Sequence, residues 1–134
     1  MKGPYQEGRA LRIVVVEDND DGREMLTLTL QVAGHHVVAA SDGVEGLELI
    51  LMLEPDVALV DIGLPKLNGY ELARHLTAIK RFQQTVLVAL SAYSSPEDKR
   101  KSYEAGFDAH LVKPIEPAEL ERQLTMLLSS EKPG

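Results

Sequence analysis

The chain has 134 residues, of which 44% are hydrophobic and 26% charged, a composition that is typical of one compact globular domain and excludes a disordered chain. It has no cysteine, which excludes disulfides and thiolate metal sites and fits a cytoplasmic setting. Its formal net charge of −7 disfavours direct binding to nucleic acid. The apolar runs are far shorter than the roughly 20 residues that cross a bilayer, so no membrane insertion is expected.

Short apolar runs alternate with amphipathic segments along the chain. Residues 1–10 mix glycine, proline and charge without a period, and we expect a flexible tail there. The β-branched run at residues 11–16 predicts a buried strand that ends in consecutive acidic residues. Residues 20–33 predict a helix that ends at Gly34. One broad apolar stripe is expected along this helix, formed by Met25, Leu28 and Val32 together with Leu26, Leu30 and Ala33.

The same alternation continues through the rest of the chain. Further strands are predicted at residues 35–40, 58–61, 85–90 and 109–112, and further helices at residues 44–53, 69–80, 96–106 and 117–128. Five strands that alternate with five helices through short connections predict an α/β domain whose parallel sheet is covered by helices on both faces. We expect this doubly wound, three-layer domain to span residues 11–129, with a flexible tail at residues 130–134.

Polar side chains stand at the C-terminal ends of four predicted strands. Glu17 and Asp18 follow the first strand, Asp61 ends the third, Ser91 follows the fourth and Lys113 follows the fifth. Because parallel strands bring these ends to one edge of the sheet, where open α/β sheets carry their chemistry, the five side chains should converge. Each residue alone is more often structural, and it is their joint placement that predicts a functional site.

This set of side chains favours phosphoryl chemistry beside a divalent cation. Two carboxylates about 4 Å apart repel by roughly 4 kcal/mol at an effective dielectric of about 20, and a hard cation such as Mg²⁺ or Mn²⁺ relieves that repulsion. Asp61 beside such an ion can attack phosphorus while Lys113 and the Ser91 hydroxyl bind the phosphoryl oxygens. The product would be an aspartyl phosphate.

With these residues, the chain resembles the receiver domain of bacterial two-component response regulators. The resemblance extends from position 11 to position 128. The marks are the acidic pair after strand one, the sequence DIGLP around Asp61, Ser91-Ala92 after strand four and Lys113-Pro114 after strand five. The resemblance implies a flavodoxin-like sheet with the strand order 2-1-3-4-5. The wording DIGLP-x-x-x-GYELAR also resembles receivers that are attached to hybrid histidine kinases.

The resemblance implies a role for each acidic residue. Asp61 would be the phosphoacceptor, and Asp18 and Asp61 would be direct ligands of Mg²⁺ or Mn²⁺. Glu17 would be a ligand through water, and the backbone carbonyl of Gly63 would be a further ligand.

Other roles follow from the same resemblance. Ser91 would follow the phosphoryl group, Lys113 would pair with it, and the peptide bond before Pro114 would be cis. Receivers usually carry an aromatic switch residue three positions before the lysine, where this chain has His110. We hypothesise that Ser91 and His110 couple the site to the surface of the fourth helix, fifth strand and fifth helix. The alternative is that His110 is an ordinary half-exposed residue of the last strand.

Two positions should set the lifetime of the acyl phosphate. In this family the side chains two positions after the acceptor and two after the hydroxyl residue influence the attack of water. Here Gly63 offers no amide to orient a water molecule, and Tyr93 can shield the phosphoryl group. Slow self-dephosphorylation is therefore predicted.

The implied function is signalling by phosphorelay. The domain would receive a phosphoryl group from a phosphohistidine on a histidine kinase or a histidine phosphotransfer protein, and would switch its output face toward a downstream protein. It would catalyse only its own phosphorylation and dephosphorylation, as a monomer or as a phosphorylation-dependent dimer.

Two other functions were weighed against this one. An aspartate-nucleophile, Mg²⁺-dependent phosphatase of the haloacid dehalogenase type needs a second Asp two residues after the nucleophile, where this chain has Gly63. A nucleotide-binding domain needs a glycine-rich phosphate loop, GxxxxGK[ST] or GxGxxG after a strand, and the sequence contains neither. The pair His35-His36 lies far from the acidic strand ends and is interpreted as an incidental surface pair.

Overall fold

A computed structural model describes residues 10–82, 84–92 and 95–129, so residues 1–9 and 130–134 of the predicted tails lie outside it. The described residues form five strands and five α-helices in alternation. The strands are β1 (Arg12–Val16), β2 (His36–Ala40), β3 (Val57–Asp61), β4 (Val86–Ser91) and β5 (Ala109–Val112). The helices are α1 (Asp20–Val32), α2 (Gly43–Leu53), α3 (Gly69–Thr77), α4 (Pro96–Ala105) and α5 (Pro117–Ser129), with a 3₁₀ turn at Lys80–Phe82 after α3.

The strands form one parallel sheet in the order β2-β1-β3-β4-β5. The predicted flavodoxin-like α/β fold is therefore confirmed. Because every strand runs in the same direction, all the C-terminal ends lie at one end of the sheet. The strand order makes β2 and β5 the two edge strands.

Two apolar clusters cover the two faces of the sheet. On one face the strands pack against Ile50 of α2, Leu72 of α3 and Ala105 of α4. On the other face they pack against Leu30 of α1 and Leu124 of α5. This is the predicted three-layer arrangement, and it explains why the central strands are apolar on both sides.

The ends of α1 follow from local chemistry. The Asn19 side chain accepts a hydrogen bond from the Gly22 N–H at 2.7 Å, which satisfies a free donor of the first helical turn. After the helix, Gly34 has a φ of 99°, the left-handed conformation that favours glycine. The helix contacts the core mainly through Leu30, which is fully buried.

The orientation of α1 corrects the sequence analysis. Of the six residues that were expected to form one stripe, Met25, Leu28 and Val32 face solvent, with 67%, 50% and 88% of each residue exposed. The helix has two apolar sides, and the side that carries Leu26 and Leu30 packs against the sheet. Apolar spacing alone does not say which of two such sides is inward, and the outer one is left as an exposed apolar stripe.

The two adjacent histidines have different environments. His35 is buried: its Nδ1 accepts the Leu11 N–H at 3.0 Å, so Nε2 carries the proton and donates to Glu121 of α5 at 2.9 Å. His36 is exposed. The interpretation of both as surface residues was therefore wrong for His35, which ties α5 to the start of the sheet.

Among residues 10–82, 84–92 and 95–129, no helix has the length and apolar character that crossing a membrane requires.

Candidate functional site

Three carboxylates meet at the C-terminal end of the sheet. Glu17 and Asp18 directly follow β1, and Asp61 is the last residue of β3, the neighbouring strand. One carboxylate oxygen from each residue lies within 4.8 Å of the others. Glu17 is buried, Asp61 is partly buried and Asp18 is exposed, so the cluster opens to solvent on one side.

Lys113 reaches into this cluster from the end of β5. Its Nζ donates to Asp61 Oδ2 at 2.8 Å and also to Glu17 Oε1. The Lys113 backbone N–H donates to the Ser91 carbonyl at 2.8 Å, which anchors the start of the loop after β5. The peptide bond that joins Lys113 to Pro114 is cis. The ammonium group therefore lies between two carboxylates from different strands.

The loop after Asp61 is held close to its side chain. The Gly63 N–H donates to Asp61 Oδ1 at 2.9 Å. At the start of α3, a Cβ on Gly69 would lie 2.7 Å from the Asp61 carbonyl oxygen, so only glycine lets the helix approach β3 this closely. With one oxygen bonded to Gly63 and the other to Lys113, the Asp61 carboxylate has a fixed orientation.

Glu17 has its own support from the start of α1. The Asn19 N–H donates to Glu17 Oε2 at 3.3 Å, and Arg23 Nη1 donates to the Glu17 carbonyl oxygen at 3.0 Å. The sequence analysis did not assign a role to Arg23. Arg23 lies six residues after Glu17, near the start of a helix that begins beside the site. This spacing could have indicated its role.

The two buried carboxyl groups differ in their pKa values. Burial raises the pKa of Glu17, and its hydrogen bond with Asp61 adds to this, while Lys113 and the Asn19 N–H act in the opposite direction without cancelling it. Burial also acts to raise the pKa of Asp61, but hydrogen bonds from Glu17, Lys113 and the Gly63 N–H outweigh it and hold the pKa below its usual value. Asp61 is therefore the carboxylate that stays ionised.

Lys113 completes this electrostatic arrangement. Burial acts to lower its pKa, but hydrogen bonds to Asp61 and Glu17 outweigh that effect and raise it. The side chain is therefore a permanent cation beside the oxygens of Asp61.

Ser91 and His110 lie on the two strands beyond Asp61. Ser91 ends β4, is buried, and follows Leu90, the residue that pairs with Asp61 across the sheet. His110 on β5 is also buried, which corrects the reading of it as half-exposed. Its Nδ1 lies 2.7 Å from the hydroxyl of Ser102 on α4.

Ser102 is a residue that the sequence analysis missed. It is fully buried, and its hydroxyl also contacts the Asp98 carbonyl at 3.2 Å. A polar residue three positions before the buried Ala105, on the same face of α4, was the signal that a buried partner such as His110 lay opposite. Tyr93, which was predicted to shield the phosphoryl group, lies outside the described residues.

A family sequence model matches most of the chain. The sequence model of the response regulator receiver domain matches residues 13–125, from β1 into α5. The chain belongs to the response regulator receiver domain family. This receiver accordingly takes part in two-component phosphorelay signalling, and the match favours a signalling role over the phosphatase alternative.

Curated relatives agree with the family. The receiver is 29% identical over 87% of its length to the DNA-binding dual master transcriptional regulator RpaA of Synechocystis, covering 48% of that protein. It is 34% identical over 87% of its length to the probable transcriptional regulator ycf27 of Guillardia theta, covering 45% of that protein. The receiver thus spans about half the length of these two relatives.

Solved structures show the same fold. The chemotaxis protein CheY4 of Vibrio cholerae matches with a TM-score of 0.84 and 30% identity, over 90% of this chain and 100% of that one. The receiver domain of the sensor histidine kinase PA1611 of Pseudomonas aeruginosa matches with a TM-score of 0.84 and 29% identity, over 91% and 100%. The latter has a magnesium ion coordinated in its active-site cleft.

Proposed function

We propose that Asp61 is the residue that accepts the phosphoryl group, from a phosphohistidine on a histidine kinase or a histidine phosphotransfer protein. The observation that carries the proposal is the environment of its carboxylate, with Lys113 Nζ at 2.8 Å and the oxygens of Glu17 and Asp18 within 4.8 Å. Because its pKa is held below the usual value, Asp61 is ionised and nucleophilic at neutral pH.

In the proposed step, an Asp61 carboxylate oxygen attacks the phosphorus of the phosphohistidine. The bond from phosphorus to oxygen forms, the bond from phosphorus to the imidazole nitrogen breaks, and the donor histidine leaves with the electron pair of that bond. Lys113 Nζ, already bonded to Asp61 Oδ2, then pairs with a phosphoryl oxygen. Ser91, at the end of β4, binds another phosphoryl oxygen through its hydroxyl.

The three carboxylates fit a divalent cation of the Mg²⁺ or Mn²⁺ type. The fit rests on the clustering of all three within 4.8 Å, one of them buried, which is repulsive without a cation. Asp18 and Asp61 would hold it directly, Glu17 through water, and the Gly63 carbonyl would be a further ligand. When bound, such an ion neutralises the charge on the phosphoryl oxygens.

The proposed function of the phosphorylated receiver is to transmit a signal, and not to release a product in repeated catalytic cycles. We propose that phosphorylation moves Ser91, that His110 follows, and that the hydrogen bond to Ser102 carries the change to α4. The surface of α4, β5 and α5 would then bind a downstream protein, with the receiver as a monomer or a phosphorylation-dependent dimer. If His110→Ala left phosphorylation-dependent partner binding unchanged, this coupling would be wrong. A cytoplasmic location also remains a prediction.

The exposed apolar stripe of α1, Met25, Leu28 and Val32, is proposed to receive the phosphohistidine donor. α1 begins at Asp20, two residues after Asp18, so Met25, the first residue of the stripe, lies in the second turn of a helix that starts next to the carboxylates. Leu28→Glu should slow transfer from a phosphohistidine protein at least about tenfold and leave phosphorylation by acetyl phosphate unchanged. An equal loss with both donors would contradict this role.

The chemistry itself is tested with a small donor. Incubation with Mg²⁺ and acetyl phosphate should add the mass of one phosphoryl group to the intact protein, and Asp61→Asn should abolish the addition. Asp20→Asn, which alters an exposed carboxylate at the start of α1, is the matched control and should be phosphorylated normally. Continuous turnover of a generic phosphate ester, without a trapped acyl phosphate, would instead support the phosphatase alternative.

A further inference from the structure

The edge strand β2 has backbone groups that face outward. The His36 N–H donates to the Leu11 carbonyl at 2.8 Å, and the Ala40 carbonyl accepts the Glu17 N–H at 3.0 Å. Because successive residues of a strand direct their backbone groups to opposite sides, the N–H and C=O of Val37 and Ala39 point away from β1. Within the described residues no strand lies beyond β2.

This edge lacks the usual protection against pairing. Proteins commonly guard edge strands with charged side chains, proline or bulges. The residues of β2, HVVAA, include no Lys, Arg, Asp, Glu or Pro, and all five pair with β1 in unbroken register. Val38, at the centre, is 41% exposed.

An apolar cavity of about 300 Å³ opens beside the same strand. Its wall includes Val38 of β2, Val14 of β1, and Leu53 and Pro55 at the end of α2. Arg12 also lines the cavity, and its guanidinium donates to the Leu53 and Glu54 carbonyls. The free backbone edge and the apolar surface are therefore contiguous.

We propose that β2 pairs with β2 of a second copy of this chain, antiparallel, about a two-fold axis at Val38. The outward groups are self-complementary in one register: Val37 of each copy lies opposite Ala39 of the other, and each such pair exchanges two hydrogen bonds. Val38 then faces Val38 across the axis. The result is a continuous ten-stranded sheet formed by two five-stranded halves.

The charges at the two ends of β2 favour a second copy as the partner. Arg12, the residue of β1 that pairs with His36, lies beside the start of β2, while the exposed Glu45 follows its end. Antiparallel pairing brings the basic end of each copy toward the acidic end of the other, which steers the two copies into this register. The dimer uses neither the carboxylate cluster nor α4 and α5, so the inference stands apart from the proposed phosphorylation of Asp61.

A single cysteine tests the register, because the natural chain has none. Residues that face each other without mutual hydrogen bonds in an antiparallel pair have Cα atoms about 4.5 Å apart, within the range of about 4.4–6.8 Å that a disulfide spans. Val38→Cys should therefore form a covalent dimer on mild oxidation. Val112→Cys is the matched control, with 38% exposure on the other edge strand, and should cross-link at least about tenfold more slowly.

Sedimentation of the unmodified chain tests the association itself. The mass should rise with concentration from 14.7 kDa toward twice that value, and amide exchange at Val37 and Ala39 should slow in parallel. Val38→Lys, which sets two like charges at the axis, should abolish the dimer, while Val112→Lys should preserve it.

Three results would overturn the proposal. One is a mass of 14.7 kDa at every concentration together with equal cross-linking of the two cysteine variants. Another is equal loss of the dimer in both lysine variants. The third is slow exchange of Val37 and Ala39 in a monomer, which would mean that the edge is covered without a second copy.

Discussion

Glu17 and Asp61 share one ammonium group, Lys113, yet their pKa values move in opposite directions from their usual values. Burial acts to raise both pKa values, and the two residues differ mainly because the hydrogen bond between their carboxyl groups raises the pKa of Glu17 and lowers that of Asp61. When one proton is present in the pair it resides on Glu17. The proposed nucleophile and the buried acid beside it are therefore distinguished by their neighbours and not by residue type.

This difference predicts how binding of Mg²⁺ depends on pH. Protons and cations compete for the same carboxylates, and Glu17, whose pKa is raised above 4.5, takes up its proton earlier than an ordinary Glu as the pH falls. Affinity for Mg²⁺, measured by calorimetry, should weaken as the pH falls from neutral toward 4.5, the usual pKa of a glutamic acid side chain, and the loss should begin above that value. Glu17→Gln should bind more weakly overall but lose most of this dependence. A wild-type affinity that stays constant across the range would refute the assignment.

Gly63 gives a second prediction at this scale. A Cβ at position 63 would lie 3.8 Å from Asp61 Oδ1, an ordinary contact, so side chains fit there. An asparagine amide can orient water toward the acyl phosphate, and Gly63→Asn should speed loss of the phosphoryl group about tenfold, equivalent to about 1.4 kcal/mol. Gly63→Ala adds the Cβ without the amide and should stay as slow as the wild type. Loss within seconds from the unmodified protein would contradict the expected slow rate.

The acidic site could be placed from sequence because strand direction alone brings its residues together. Asp61 follows an apolar run that has to be a buried strand, and the same is true of Glu17 and Asp18. His110 could not be placed in the same way. Whether a strand histidine is buried depends on the helix that packs over it, and here that helix supplies the hydroxyl of Ser102.

At the scale of elements, α4 and β5 are joined by a polar contact inside an apolar core. The 2.7 Å pair of Ser102 and His110 is buried on both sides, where an unpaired polar group is costly. A rearrangement of His110 must therefore either break this bond or take α4 with it. The pair is therefore the proposed connection between the sheet and the surface of α4, β5 and α5.

Removing the hydroxyl of Ser102 should uncouple the two elements. In Ser102→Ala we expect phosphorylation at Asp61 to shift the amide resonances around Ser91 as in the wild type, while the shifts in α4 fall severalfold. Tyr103→Phe removes a hydroxyl from the next residue of the same helix, at an exposed position, and serves as the control. Undiminished shifts in α4 of Ser102→Ala would rule out the connection.

The helices also show where sequence patterns are ambiguous. α3 has one apolar side, and that side carries the buried residues Leu72 and Leu76. α1 has two apolar sides, and the prediction failed to distinguish Leu30, which is buried, from Val32, which is exposed. The spacing of apolar residues predicts that a helix forms, but the neighbouring elements of the fold determine which of its sides is buried.

At the scale of the whole molecule, folding is what assembles the carboxylate cluster that is proposed to bind a cation. Glu17 and Asp18 are separated from Asp61 by more than forty residues, and only the pairing of β1 with β3 brings their oxygens within 4.8 Å. An unfolded chain with dispersed carboxylates has no such site. A cation that binds only the folded state stabilises it by mass action.

Mg²⁺ should therefore raise the unfolding temperature. The gain in the free energy of unfolding should approach about 1.4 kcal/mol for each tenfold increase in Mg²⁺ above its dissociation constant. Asp18→Asn should abolish the dependence, while Asp20→Asn, outside the cluster, should preserve it. An equal response of the two variants to Mg²⁺ would show that the stabilisation does not come from this site.

The order of strands and the layers of helices followed from the sequence because alternation and chain direction leave few topologies. The exposed surfaces could not be predicted from the sequence in this way. Only the folded arrangement shows that no strand of the described residues pairs with the outer side of β2 and that the outer side of α1 is exposed.

The central claim is that Asp61 carries the phosphoryl group. The most direct measurement is to phosphorylate the protein with acetyl phosphate and Mg²⁺, reduce the acyl phosphate with borohydride, and identify the modified residue by peptide mass spectrometry. Reduction converts an aspartyl phosphate into homoserine, and the account predicts homoserine at position 61 and at no other acidic residue. Homoserine at position 18, a reduced residue in place of Glu17, or no reduction in a protein that has gained a phosphoryl group would contradict it.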